Sequence, residues 1–214
     1  MDTPNDTKPR WERRKDARPQ ELLAAALELF VDRGFAATRL EDVARAAGVS
    51  KGTLYLYFEN KQELFKAVVR DSIVQAIGQA EDDLAAAEGM PSELLLREML
   101  QRWWSQVGAT KVAGLAKLMM AECGNFPELA QFYNEEVIER GNALVHKVLA
   151  RGLARGEFRP HDPAMMTHVL TAPVLMLMFW THSFFPCEAH AGLDTDAFME
   201  TFLGMVQRGL APSK

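Results

Sequence analysis

The sequence predicts an all-α protein of about nine helices, three of them in a small N-terminal helix-turn-helix domain and the rest in a larger C-terminal helical domain. Three observations carry that expectation. Apolar residues recur at i, i+3, i+4 and i+7 through most of the chain, the period of an amphipathic helix, while strand alternation is nearly absent. Residues that start helices (Ser50, Asn60, Asp162, Asp194) and glycines that stop them (Gly34, Gly48, Gly156) fall at the ends of those periodic stretches. The 214 residues, 48% of them hydrophobic, suffice for one large or two small packed domains.

Residues 1–16 read as a flexible basic arm, with Lys8, Arg10, Arg13, Arg14 and Lys15 among prolines and polar residues. Such an arm is either a solvated tail or a segment that follows phosphates into a minor groove. The first helix is expected from Arg18 or Pro19 to Arg33, with Gly34 as its stop. Its stripe of Leu22, Leu23, Ala26, Leu27 and Phe30 needs partners, and Phe35, Leu40, Val43, Leu54 and Phe58 are the natural ones. Thr38 and Glu41 have the T-x-x-E spacing of a capping box, so a second helix should start there, carry Leu40, Val43, Ala44 and Ala47 on one face, and end at Gly48. Val49 plugs the core at the turn. Ser50 can cap a third helix whose first residues, Lys51, Gly52 and Thr53, are too small or polar for a core and face out. Two short helices joined by a tight turn over residues 39–58 form a helix-turn-helix. Asn60, with Glu63 three residues on, caps a fourth helix that packs through Leu64, Phe65, Val68 and Val69 and runs to about Ala87.

Beyond it, Ser92 is read as the start of a helix through Trp103 and Val107, and Thr110 as the start of another through Met119 and Met120. Pro127 opens a long helix to about Arg155. Asp162 followed by Pro163 opens a helix, through about Phe185, that is apolar on nearly every side, and Asp194 opens the last, to about Leu210.

Net charge is −5, unpromising for a nucleic-acid binder as an average. Its distribution is uneven: residues 1–66 hold twelve basic and eleven acidic side chains, the remainder twelve and eighteen, so the acidic part should stay off a polyanion. No signal-peptide core is visible and no apolar run approaches the ~18 residues of a membrane span, so a cytoplasmic protein is expected, with Cys123 and Cys187 as free thiols. His161 and His168, and His182, Cys187 and His190, match no known zinc spacing. No nucleophile elbow, P-loop or paired-carboxylate motif is present, and no catalytic residue, metal or cofactor is expected.

The stretch VARAAGVSKGTLYLYFENK, within Thr38–Lys61, closely resembles the helix-turn-helix of the TetR/AcrR family of bacterial transcriptional regulators, whose pattern is IA-x-x-AGVS-x-GTLY-x-YF-x-x-K. The resemblance covers roughly residues 17–77, taken as the DNA-binding domain, and leaves 78–214 as a regulatory and dimerisation domain. An α-helix fits the major groove with its first residues at the base edges. Lys51 can donate to guanine or phosphate, Gly52 allows close backbone approach, Thr53 offers a hydroxyl and a methyl, and Tyr55 and Tyr57 can bond phosphates. With Thr38, Arg39 and Lys61 these make up the expected DNA contacts. Tyr55 can instead be core, and Leu56 is ambiguous, since an exposed leucine there can meet a thymine methyl.

The resemblance further implies a homodimer on an inverted-repeat operator of double-stranded DNA, paired through the last two helices, and a C-terminal pocket for a small-molecule effector. Trp103, Trp104, Met119, Met120, Phe132, Met176 and Phe179 are the apolar and aromatic materials for that pocket. The function implied is a repressor released from its operator by a largely apolar or aromatic effector. The alternatives are a ligand-independent or activating regulator and, more remotely, a small helical enzyme or metal-binding protein with a vestigial head.

Overall fold

A computed structural model describes the backbone of residues 10–184 and 192–212, and the side chains of 19–184 and 192–212. The described residues form helices and no strands. They fall into two compact units that divide between Val68 and Val69.

The first unit holds α1 (Arg10–Ala37), α2 (Leu40–Ala46), α3 (Lys51–Tyr57) and all but the end of α4 (Lys61–Val69). Helical backbone begins at Arg10, earlier than expected, so residues 10–16 of the anticipated arm are helix; residues 1–9 lie outside the described residues. The segment from Arg10 to Arg18 is dense in good helix formers, and Pro19 forfeits an i→i−4 bond without ending the helix. Gly34, at φ 83°, breaks the helical path as the stop residue should. Leu22, Ala26 and Phe30 of α1 are fully buried, as are Val43 of α2, Leu54 of α3, and Leu64 and Phe65 of α4. Three rings lock this core: Phe30 stacks on Phe35 at 5.7 Å, and Phe65 meets both edge-on at 5.4 and 5.6 Å. Phe58, expected in the core, is only half-buried because its extended backbone carries it out of α3.

The second unit continues with a π-helical turn at Arg70–Val74, then α5 (Gln75–Ala86), α6 (Ser92–Trp103) with a π turn at Trp104–Gly108, and a 3₁₀ turn at Lys111–Ala113 leading into α7 (Gly114–Glu122). There follow α8 (Pro127–Tyr133), a third π turn at Asn134–Glu139, α9 (Arg140–Ala154), α10 (Pro163–Ser183) and α11 (Thr195–Leu210). Counting helical turns with the helices they join, the described residues make nine continuous helices. Asp162 and Asp194 cap α10 and α11 through backbone N–H groups at 2.8–3.3 Å. Ser92 starts α6 as expected. It is the first helical residue, after Pro91, and its buried N–H donates to Glu157 at 2.8 Å. The core is built by Leu95, Leu96 and Leu100 of α6, Val145, Val148 and Leu149 of α9, Phe158, Leu170 of α10, and Leu203 and Leu210 of α11. A Cβ on Gly152 would lie 2.1 Å from the Phe158 ring, so α9 reaches that ring only by having glycine there.

The expectation about membrane-length segments needs correction. By length and composition α10 is apolar enough to cross a membrane: its interruptions are Thr, His and Pro rather than charges, so a test for an unbroken run misses it while the mean hydropathy of 1.4 does not. Leu170, Val174, Leu177 and Met178 pack inward, while Met165, Val169, Leu175 and Met176 remain exposed. Met165, Val169 and Met176 share one stripe at i, i+4, i+11. Met205 of α11, which packs beside α10, is exposed as well.

Candidate nucleic-acid interface

The α2–α3 corner owes its shape to local bonds. The Gly48 N–H donates to Arg45 O and the Val49 N–H to Ala44 O at 3.2 and 2.9 Å, with Gly48 at φ 67°, a Schellman closure of α2. Ser50 Oγ then accepts from the Thr53 N–H at 3.1 Å, opening α3 as expected. Thr53 Oγ1 lies 2.8 Å from the same oxygen, so its hydroxyl is shared with the cap. Leu54 pins α3 to the core, and Lys51, Gly52, Tyr55, Leu56 and Tyr57 are exposed, with Thr53 half-exposed. Leu56 is 83% exposed, two residues from the buried Leu54 and so on the far side of the helix. That settles its ambiguity in favour of the outer surface, and Tyr55, at 47%, is not core either.

Lys51 does not project alone. Its ammonium is ion-paired with Glu41 of α2 and lies 5.9 Å from the Tyr55 ring centroid. The hydrogen bond from Lys51 holds the Glu41 carboxyl below its ordinary range, helped by the Lys51, Arg39 and Arg45 charges, and the same bond raises the Lys51 ammonium. Asp42 sits beside this pair, 3.1 Å from Arg45 and 3.5 Å from Arg33. Arg39 is exposed at the N-cap of α2.

Three sequence expectations are corrected here. The capping box does not form: α2 has no side-chain cap, Glu41 is committed to Lys51, and the Thr38 hydroxyl donates to Gly34 O at 2.7 Å and Leu29 O at 3.1 Å. Thr38 is 2% exposed, so it anchors the turn and offers no group to a DNA surface. Lys61 also turns inward. Its ammonium donates to Phe35 O and Ala36 O at 2.6 and 3.0 Å, 4.5 Å from the Phe35 ring centroid, and satisfies carbonyls left open where α1 ends. What sequence reasoning missed is Glu41 as the partner of Lys51. The T-x-x-E spacing pointed to Thr38, and the pairing spans ten residues and two helices.

The seven effector-pocket candidates do not converge on one cavity. Trp104, Met119 and Phe132 are buried in packing, Phe132 with Arg70 at 4.9 Å over its ring, while Met120 and Met176 are exposed and Phe179 is half-buried. Trp103 alone of the seven borders a crevice between α5 and α6, with Ala80, Leu84, Leu95 and Met99 as apolar walls and Asp83 and Arg102 ion-paired at its edge. Its volume, about 60 Å³, is well below the roughly 300–1,000 Å³ of an ordinary ligand pocket. Trp104 Nε1 is buried with no hydrogen-bond partner among the described residues, and a Cβ on Gly108 would come within 2.2 Å of the Trp104 ring, so this residue fills its space tightly. No cluster of three or more His, Cys, Asp or Glu able to hold a metal occurs among the described residues; Cys187 and His190 lie outside them.

Comparison with known proteins places this corner in context. Residues 22–68 match the family model for bacterial regulatory proteins of the tetR family, and residues 96–191 match that for a tetracyclin repressor-like C-terminal domain. The transcriptional repressor KstR2 of Mycolicibacterium smegmatis is 30% identical over 154 residues, 67% of this chain and 69% of that one. The transcriptional activator FasR of the same organism is 45% identical, over 69 residues that make up 31% of this chain and 32% of FasR. The chain thus spans about a third of FasR. The structure of FadR from Bacillus subtilis in complex with stearoyl-CoA superposes with a TM-score of 0.73, covering 89% of this chain and 98% of that one at 21% identity, a likeness of fold.

Proposed function

The chain belongs to the TetR family of bacterial regulatory proteins and is a DNA-binding transcriptional regulator, and from that premise we propose that it acts as a homodimeric repressor on an inverted-repeat operator in the cytoplasm. The observation that carries the reading is the outer face of α3. Lys51, Gly52, Thr53, Tyr55 and Leu56 stand together there, with a cation, a bare backbone, a shared hydroxyl, a ring and an apolar tip on one short helix. These groups match what base edges and thymine methyls offer in a major groove. Arg39 and Tyr57 flank them as phosphate contacts. Thr38 and Lys61 are left out of the contact set, because both serve the fold.

Two heads are needed to read an inverted repeat, and the apolar stripe of α10 with Met205 of α11 is the surface that would join two copies. Burying it would answer the same facts that make α10 resemble a membrane span.

The effector is proposed to be a small molecule with a long apolar body, of the acyl or steroid kind. Support comes from the apolar α5–α6 crevice and from the stearoyl-CoA bound by the FadR neighbour. A ligand of that size needs several hundred Å³, so it would have to part α5 from α6, and that is the differential binding allostery requires. The continuous helical run of α4 through α5 is where the change would travel. The test is titration of acyl thioesters, free fatty acids and steroids against the protein–operator complex, read by fluorescence anisotropy. Release of DNA by one class supports the reading, and no release by any leaves a ligand-independent regulator. An activator is the second reading, favoured by the 45% identity over 69 residues to the activator FasR, and a promoter fusion that loses rather than gains expression on deletion of the regulator would select it.

A further inference from the structure

We propose that Glu41 is a specificity-determining residue, one that holds the Lys51 ammonium so that it reads a neutral base edge instead of clamping a phosphate. The inference rests on α3 being the major-groove reader. An ammonium has three donors. One is taken by the Glu41 carboxylate, and the ring of Tyr55 limits where the head can swing, which leaves donors for a further acceptor in one direction. The nature of that acceptor decides the role. Guanine O6 and N7 are uncharged and can join the pair without displacing Glu41. A phosphate brings a second anion against the carboxylate, and must either repel it or strip it from Lys51. Both partners are half-exposed, so a phosphate could otherwise reach Lys51 freely. Asp42, the next residue of α2, pairs with Arg33 and Arg45 and not with Lys51, so Glu41 is the carboxylate that meets the Lys51 ammonium. Non-specific affinity comes from cations that neutralise phosphates, and restraining Lys51 therefore sharpens the ratio of specific to non-specific binding.

The test compares wild-type protein, Glu41→Gln, Lys51→Ala and the double variant on an operator selected by the wild type from a random duplex pool and on random duplex DNA across 50–200 mM salt. Glu41→Gln keeps the shape and removes the charge. The expected result is tighter binding to random DNA, with a log–log salt slope steeper by about 0.9, so that the gain shrinks by roughly threefold over that salt range. Base preference at the position facing Lys51 should flatten, and in the Lys51→Ala background the effect of Glu41→Gln should vanish. Equal weakening on both DNAs, or an effect that persists without Lys51, would overturn the proposal while leaving the DNA-reading function intact. A wild-type protein that prefers no sequence would overturn that function, and the proposal with it.

Discussion

A methyl added at Gly52 would meet nothing closer than Ser50 Oγ at 3.8 Å, an ordinary contact, so the fold does not require glycine at that position. Alanine is the better helix former by about 1 kcal/mol. Gly52→Ala is therefore expected to leave the melting temperature unchanged or raised while reducing operator affinity at least tenfold, because the methyl fills the space a base edge or phosphate would enter; unaltered affinity would remove Gly52 from the interface. Thr38 shows the reverse. Its hydroxyl bonds two carbonyls from a buried site, and Thr38→Val should cost about 1–3 kcal/mol in urea unfolding, with DNA affinity per folded molecule little changed. These two residues mark how far the sequence could be read. The small, polar and apolar positions of α3 follow from a 3.6-residue period once Leu54 is placed, so the exposed set was legible. The inward turn of Lys61 was not, because it bonds carbonyls 26 and 25 residues back, and that of Thr38 was hidden because its hydroxyl bonds back to Gly34 and Leu29 instead of forward into α2.

The end of α10 is tied to α7 and to the turn before it by side chain–backbone bonds. His182 Nε2 lies 3.2 Å from Thr110 O, and Lys117 Nζ donates to His182 O at 2.6 Å. Burial, and then the Lys117 and Lys111 charges, hold the imidazole below its usual value against the opposing bond to Thr110. The unfolded chain then binds the proton more readily than the folded one. Stability from this group is present above about pH 6.5 and is lost as pH falls through the lower folded value. The melting temperature should drop over that interval in the wild type and drop less in His182→Gln; parallel curves for the two proteins would contradict the assignment. Helix starts at Ser50, Asn60, Asp162 and Asp194 were legible because a single side chain caps each. The three π turns were not. Two of them, Arg70–Val74 and Asn134–Glu139, pack together, with Arg70 3.5 Å from Glu136 and Glu136 3.7 Å from Arg140, which in turn pairs with Glu81 at 2.7 Å. A π turn lies inside a helix, so the caps and stops by which helix ends are read carry no sign of it.

An all-helical chain with a helix-turn-helix near its start was legible from periodicity and caps, and the surface that would join two copies was legible only in outline. Sequence made α10 apolar all round, and the structure divides it into a packed side and an exposed side. Val169, 60% exposed, lies within the exposed stripe. Val169→Glu should convert a species of twice 24.0 kDa into one of 24.0 kDa by light scattering, with helix content retained and operator binding lost. A wild type already monomeric, or a variant still dimeric, would exclude this stripe as the joining surface. The central claim, a dimeric reader of a defined DNA sequence, is tested most directly by selecting bound duplexes from a random pool at a salt concentration high enough to suppress non-specific binding. The expected product is an inverted repeat whose half-sites lie about one helical turn apart or a multiple of it, and whose conserved bases change with Lys51→Ala. Recovery of no consensus from folded, dimeric protein would contradict it.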